Sequence, residues 1–200
     1  MARAWPVTLS DGLVGVRPLT RRDASTWARL RAQNVEWLSP WEATLPRGEG
    51  HAPESYVATI ASLRRKAREG LAMPFAVTWA GDMVGQVTVS GITRGSALWA
   101  SIGYWVSRSH AGKGITPTAV ALVCDHLFTQ AGLHRIEISI RPENEASLRV
   151  VEKLGFTEFG LAPRYLHIAG DWRDHRVFQL LKEDVPHGVL HRLREGRPSV

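Results

Sequence analysis

The chain has 200 residues, 44% of them apolar, which is enough for one α/β domain with a sizeable core. Its single cysteine, Cys124, excludes an internal disulfide and a cysteine-rich metal site, and no apolar run reaches the ~18 residues of a membrane helix. A formal charge of +6 gives a basic surface that suits phosphate-bearing ligands, acidic substrates or a ribonucleoprotein setting without choosing among them. The opening Met1-Ala2-Arg3-Ala4-Trp5-Pro6 lacks the apolar stretch of a secretory leader, so the expected location is the cytoplasm, with no membrane partner.

Gly12 to Thr20, with Leu13, Val14, Val16 and Leu19, predicts a first strand, and Arg22-Asp23-Ala24 opens a helix to about Gln33. Ser39 to Pro53 carries Pro40, Pro46, Gly48, Gly50 and Pro53. It reads as a loop anchored by Trp37 and Trp41, long enough to be a substrate loop. Tyr56, Ile60 and Leu63 recur at helical spacing up to Gly70, and Arg64-Arg65-Lys66 reads as that helix's solvated face. Pro74 to Ala80, Met83 to Ile92 and Ala97 to Val106 predict an antiparallel meander. Both faces of the third strand are largely apolar, which predicts a central strand covered on both sides.

Gly112 to Pro117 leads into a helix in which Ala119, Leu122, Val123 and Leu127 recur until Gly132, with Cys124 suited to burial inside it. Ile136, Ile138 and Ile140 alternate as a strand. Asn144 then opens a helix closed by Gly155. Phe156 to Ala169 and Trp172 to Leu181 predict a terminal hairpin turning at Gly170-Asp171. No repeat or second-domain boundary is visible, so the division is one domain over 1–183 and a polar, basic tail over 184–200, with basic residues from Arg192 to Arg197.

A strand that runs into Ser109-His110-Ala111-Gly112-Lys113-Gly114-Ile115-Thr116 and on into a helix has the parts of an anion site. The helix start offers unpaired N–H groups and positive dipole character, and the glycines let the backbone approach a diphosphate. The full phosphate-loop pattern and Gly-x-Gly-x-x-Gly are both absent, which argues against nucleoside triphosphates and dinucleotides. An ordinary strand-to-helix turn would look the same if nothing else supported the site. Support comes from the strand before it: where a central strand splays from its neighbour, an extended amide-bearing arm can pair with the freed groups. Coenzyme A has such an arm, placing its diphosphate at Gly112 to Thr116 and its amides near Tyr104, Trp105 and Val106.

In order and spacing, Ile102-Gly103-Tyr104-Trp105-Val106, Gly112-Lys113-Gly114-Ile115, Asn144-x-x-Ser147 and Lys153-Leu154-Gly155-Phe156 resemble the GNAT superfamily. Asn34-x-x-Trp37-Leu38-Ser39-Pro40-Trp41-Glu42 and Gly170 to His175 look like its RimJ/RimL branch of ribosomal-protein N-acetyltransferases, the RimJ type above all. The resemblance spans Leu13 to Leu181. It departs from the family's phosphate turn at Ala111, where a polar residue is usual, and at Thr116, where a small one is; backbone donation survives both changes.

The resemblance implies an α/β fold: a mixed, mostly antiparallel, splayed sheet of about six or seven strands with helices on both faces. It implies acetyl-coenzyme A held by Tyr104, Trp105, Val106, Ala111, Gly112, Lys113, Gly114, Ile115, Thr116 and Asn144. The reaction it implies is acetyl transfer to an amine, foremost the amino terminus of a ribosomal or other protein. Such an amine has a pKa near 8, so on the order of a tenth is neutral at pH 7 and little base catalysis is needed. Ser147 is the serine that the RimJ/RimL branch implies as proton donor to the departing thiolate; Asn144-x-x-Ser147 is equally a helix cap. Trp41, Glu42, Asp174 and His175 are candidates for the acceptor side, Glu42 as an orienting or water-mediated base, with Tyr165 an alternative acid. The histidines form no metal-ligand spacing. Other acceptors, a small-molecule amine or aminoacyl-tRNA, and a non-catalytic coenzyme-binding module stand as rivals. No direct nucleic-acid specificity is expected, and the chain is a monomer or homodimer on this reading.

Overall fold

The structure, a computed structural model, describes residues 4–46 and 56–196. Leu9–Asp11 (β1) and Val14–Pro18 (β2) form an antiparallel hairpin, turned at Gly12 with a φ of 57° that favours glycine. The predicted first strand is therefore the second arm of a hairpin, and Asp11-Gly12 is the turn signal for the arm before it. The helix Ala24–Gln33 (α1) starts where expected. Its approach is fixed by Asp23, whose carboxylate accepts from the Thr20 N–H at 2.7 Å and from the Arg17 guanidinium at 2.6 and 3.0 Å.

A short helix, Val35–Leu38 (α2), precedes the predicted loop and runs into a 3-10 turn over Ser39–Trp41, so the loop's first three residues are helical instead. Pro40 is the second residue of that turn, still within the first turn, where a proline lacking N–H costs nothing. Residues 47–53 of that loop lie outside the described residues, as do residues 1–3 and 197–200. Tyr56–Arg68 (α3) is followed by the expected meander, Met73–Trp79 (β3), Asp82–Thr93 (β4) and Trp99–Val106 (β5). Then come Ile115–Thr129 (α4), Arg135–Ile140 (β6), Glu145–Leu154 (α5) and the hairpin Thr157–Ile168 (β7) and Asp171–Leu181 (β8).

The strands form one eight-stranded sheet in the order β1-β2-β3-β4-β5-β6-β8-β7, with β5–β6 the single parallel pairing among them. The count exceeds the expected six or seven. Two apolar clusters sit on opposite faces, as the alternation in β3 shows: Phe75 and Val77 join the larger, with α4 and α5, whereas Ala76 joins the smaller, with Leu30 of α1 and Ile60 of α3. α4 is the centre of the larger cluster. Twelve of its fifteen residues are buried, including Cys124, whose thiol pKa burial pushes well up, as suits a packing role.

The expected tail is structured in part. Val189–Glu195 (α6) buries Val189 and Leu193 in the larger cluster, and the Asp125 carboxylate of α4 accepts from the Val189 and Leu190 N–H groups at 2.6 and 3.1 Å. The high density of Arg and His over 187–196 hides two apolar anchors one helical turn apart. Among the described residues, no helix is long and apolar enough to cross a membrane.

The sheet parts where the site lies. β5 and β6 pair through Trp99↔Arg135, Ala100↔Ile136 and Ser101↔Glu137, and the ladder stops there, so Ile102 to Val106 of β5 leave their parallel neighbour. On β5, Ala100 and Ile102 are buried, but Gly103 is exposed, so the expected cover on both faces is incomplete.

Candidate active site

The parted strands open a cleft of about 500 Å³. Tyr104, Trp105 and Val106 form one wall and the starts of α4 and α5 another. Trp37, Leu38, Trp41 and Glu42 lie along the third. Sequence-distant stretches singled out for one ligand thus share one cavity.

At the start of α4, Gly112 and Gly114 have φ of 75° and 76°, left-handed values that a side chain would strain. Gly114 is the helix N-cap, and the helical ladder begins with the Thr118 N–H donating to its carbonyl at 3.2 Å. The first-turn N–H groups of Ile115 and Thr116 therefore lack intrahelical acceptors, while Pro117 has none to lose. A Cβ built on Gly112 would meet nothing within 4 Å, so open space lies over this turn. Donors, dipole and room fit a diphosphate. Arg149 and Lys153, one turn apart on α5, add cationic side chains to the lining. Lys113 is exposed and does not line the cleft.

Buried Asn34 holds the entrance to this turn. Its Oδ1 accepts from the Arg108 N–H at 2.8 Å, and its Nδ2 donates to the Leu30 carbonyl at 2.7 Å and to Ser107 Oγ at 3.1 Å. Ser107, Ser109 and His110 continue the chain of hydrogen bonds at 3.1 and 3.0 Å into the cleft lining. Asn34→Ala removes the acceptor of the partly buried Arg108 N–H and the partner of buried Ser107 Oγ, and the expected loss is about 2 kcal/mol, roughly 4–8 °C in Tm. Thermal denaturation measures it directly.

The β5 wall carries backbone groups aimed into the cleft. The Ser107 N–H donates to the Val84 carbonyl on β4, so the alternation of an antiparallel ladder turns the amide groups of Val106 the other way. Its carbonyl accepts from Trp37 Nε1 at 3.1 Å. One backbone group in the stretch expected to meet the coenzyme arm is thus engaged within the protein, and the Val106 N–H is this residue's donor on the cleft side. The signal for Trp37 was its place in the Asn34 to Glu42 stretch.

On α5, the Ser147 N–H donates to Asn144 Oδ1 at 3.1 Å, so the capping geometry is present. The Tyr104 hydroxyl donates to the Ser147 carbonyl at 3.4 Å, and burial pushes its pKa far above the usual phenol value, keeping it protonated. Among the described residues no hydrogen bond engages the Ser147 hydroxyl, and Ser147 lines the cleft.

The third wall is pinned at several points. Arg141 donates to the Pro40 carbonyl at 2.7 Å and lies over the Trp41 ring at 5.4 Å. Ala43 bridges to Ile168, and the Thr44 N–H donates to the His167 carbonyl at 2.8 Å. Glu42 forms an ion pair with Arg31 of α1. An exposed loop carboxylate would be solvated; this one has a fixed cationic partner, which the sequence did not reveal.

Asp174 and His175 do not line the cleft. Asp174 Oδ1 accepts from the Arg164 N–H at 2.7 Å within the β7–β8 hairpin. His175 is buried, with Nδ1–H donating to the Arg173 carbonyl at 3.0 Å and its ring against the edge of Tyr165; desolvation lowers its pKa and favours the neutral ring. Tyr165, half exposed on the hairpin, is also outside the lining. The β8 register directs His175 into packing, where spacing along a strand could not distinguish it from a cleft residue.

Residues 14–157 match the family described as "Acetyltransferase (GNAT) domain". The structure of Mycobacterium smegmatis RimJ, in complex with CoA-disulfide, is similar with a TM-score of 0.90 and 40% identity, covering 96% of this chain and 95% of that one. The [Ribosomal protein uS5]-alanine N-acetyltransferase of Escherichia coli (strain K12) is 30% identical over 89% of this chain and 92% of its own length. The probable N-acetyltransferase YjcK of Bacillus subtilis (strain 168) is 33% identical over 88% and 98%. Glycine turn, parted strands and whole-length similarity agree: the chain belongs to the GNAT acetyltransferase family, with its relatives in the RimJ type.

Proposed function

We propose that this enzyme moves the acetyl group of acetyl-coenzyme A to the N-terminal α-amine of a protein, a ribosomal protein foremost, in the cytoplasm and by direct attack. The observation that carries the reading is the meeting, in one cleft, of an anion-binding helix start, a parted strand edge and a wall bearing Trp41 and Glu42. When bound, the coenzyme supplies an activated thioester. The Ile115 and Thr116 N–H groups bind its diphosphate, and the Val106 N–H stabilises negative charge growing on the acyl oxygen. Glu42 orients the acceptor's ammonium, which loses its proton to water before attack. Ser147 gives a proton to the departing sulfur and regains one from the nitrogen, which sheds its second proton as the amide forms.

A thiol leaves with little help because its pKa is near 8 to 9, so Ser147→Ala is expected to lower kcat by only about tenfold with KM for both substrates held within twofold. Steady-state kinetics read this; an unchanged kcat removes Ser147 from the reaction. For the acceptor, peptides copying ribosomal-protein amino termini are incubated with acetyl-coenzyme A, and ribosomal proteins from a deletion strain are weighed by mass spectrometry. Loss of one acetyl group from one protein in that strain is the expected result. Turnover confined to polyamines or aminoacyl-tRNA would replace the protein acceptor with a small one.

A further inference from the structure

Arg31 does not line the cleft, yet it is built into the acceptor wall from behind. Its guanidinium lies 5.3 Å from the centre of the Trp27 ring and 5.5 Å from that of Trp105, and it forms the ion pair with Glu42. Trp27 is fixed in turn, its Nε1 donating to Gln86 Oε1 at 2.9 Å and its ring packed against Tyr56 at 4.7 Å. The guanidinium is thus held on an aromatic shelf, 24% exposed, with a carboxylate in front of it. A charge so placed loses hydration that aromatic faces and an opposite charge replace. Glu42 projects from a segment pinned at Pro40 and at Ala43, and Arg31 fixes the remaining freedom of its side chain.

We infer that Arg31 is a positioning residue for acceptor selection, holding the Glu42 carboxylate so that it receives a cationic amine at the mouth of the cleft. This rests on the amine-acetylation reading above and deepens it. About nine tenths of protein amino termini are ammonium ions at pH 7, so an oriented anion at the entrance favours capture of the charged acceptor. The same pairing makes Glu42 a guide in preference to a base, since a proton taken there would oppose the contact with Arg31. Selection then acts on acceptor KM, and a neutral nucleophile does not sense it.

The test compares wild type, Arg31→Gln, Arg31→Lys, Glu42→Gln and the Arg31→Gln/Glu42→Gln double variant with two acceptors, an amino-terminal peptide and hydroxylamine, which is neutral at pH 7. Arg31→Gln is expected to raise the peptide KM about tenfold and to leave turnover with hydroxylamine and the KM for acetyl-coenzyme A within twofold. Arg31→Lys, which keeps the charge, restores part of the loss. The double variant is no worse than Glu42→Gln alone, because Arg31 acts through that carboxylate. Equal losses with both acceptors, or additive losses in the double variant, would overturn the inference and leave acetyl transfer standing. Tight coenzyme binding by the wild type with no turnover on either acceptor would overturn both.

Discussion

Gly112→Val is expected to weaken acetyl-coenzyme A binding on the order of a hundredfold, the equivalent of losing one or two charge-assisted hydrogen bonds. Gly112 has a φ of 75°, and open space lies where its side chain would project. The protein alone can accommodate the new atoms, so the fold bears only backbone strain of roughly 1–2 kcal/mol. Bound phosphate has no such freedom. A β-branched side chain beside the turn competes for the space and rotates the N–H groups that follow it. Calorimetric titration and thermal denaturation of one preparation separate the two effects: affinity collapses and Tm falls only a few degrees. An affinity within twofold of wild type would show that the diphosphate lies elsewhere.

The reverse pattern, a stability loss that carries the site with it, is expected for Gly85→Ala. Gly85 of β4 lies opposite Val106, and a Cβ there would stand 2.3 Å from the Trp105 carbonyl oxygen and 3.0 Å from the Val106 Cα. Both obstacles are backbone, so no rotamer change relieves them, and β5 must move where it forms the cleft wall. Overpacking of this kind costs about 3 kcal/mol, or roughly 6–12 °C in Tm for a chain of this length. Coenzyme affinity is expected to fall as well, because the Val106 N–H moves with the strand. A melting curve indistinguishable from wild type would mean that the two strands have slack that their register does not reveal.

The coenzyme side was far more legible than the acceptor side, for a physical reason. A phosphate turn is written locally: Gly112-Lys113-Gly114 demands unusual dihedrals, Pro117 fits a first helical turn, and the helix follows at once. Ala111 and Thr116, though departures from the family pattern, line the cleft with the glycines, and a main-chain donor keeps its N–H whatever the side chain. The acceptor wall depends on partners far apart in the chain. Glu42 meets Arg31 and Trp37 meets Val106 through the packing of α1 and α2 against β5, and no spacing in the sequence announces either contact. Asp174 and His175 fail the other way. Their composition suited a site, but the hairpin register assigns one to a backbone N–H and the other to the interior. β1 and α6 escaped because each carries only a few apolar residues, and docking on α4 gives them their order.

That the two apolar clusters lie on opposite faces of the sheet has a consequence for how the enzyme can change. The diphosphate turn is rooted in α4 and the larger cluster, whereas the Arg31–Glu42 wall grows from α1 and the smaller one. Substitutions separated by a sheet and sharing no neighbours combine nearly additively. If Glu42 receives the acceptor as proposed, directed variation of the second face that spares Trp105 and Asn34, through which that face touches the donor side, is expected to retune which amines are accepted while leaving the donor half intact. New specificities are then within reach by remodelling one side of a shared partition.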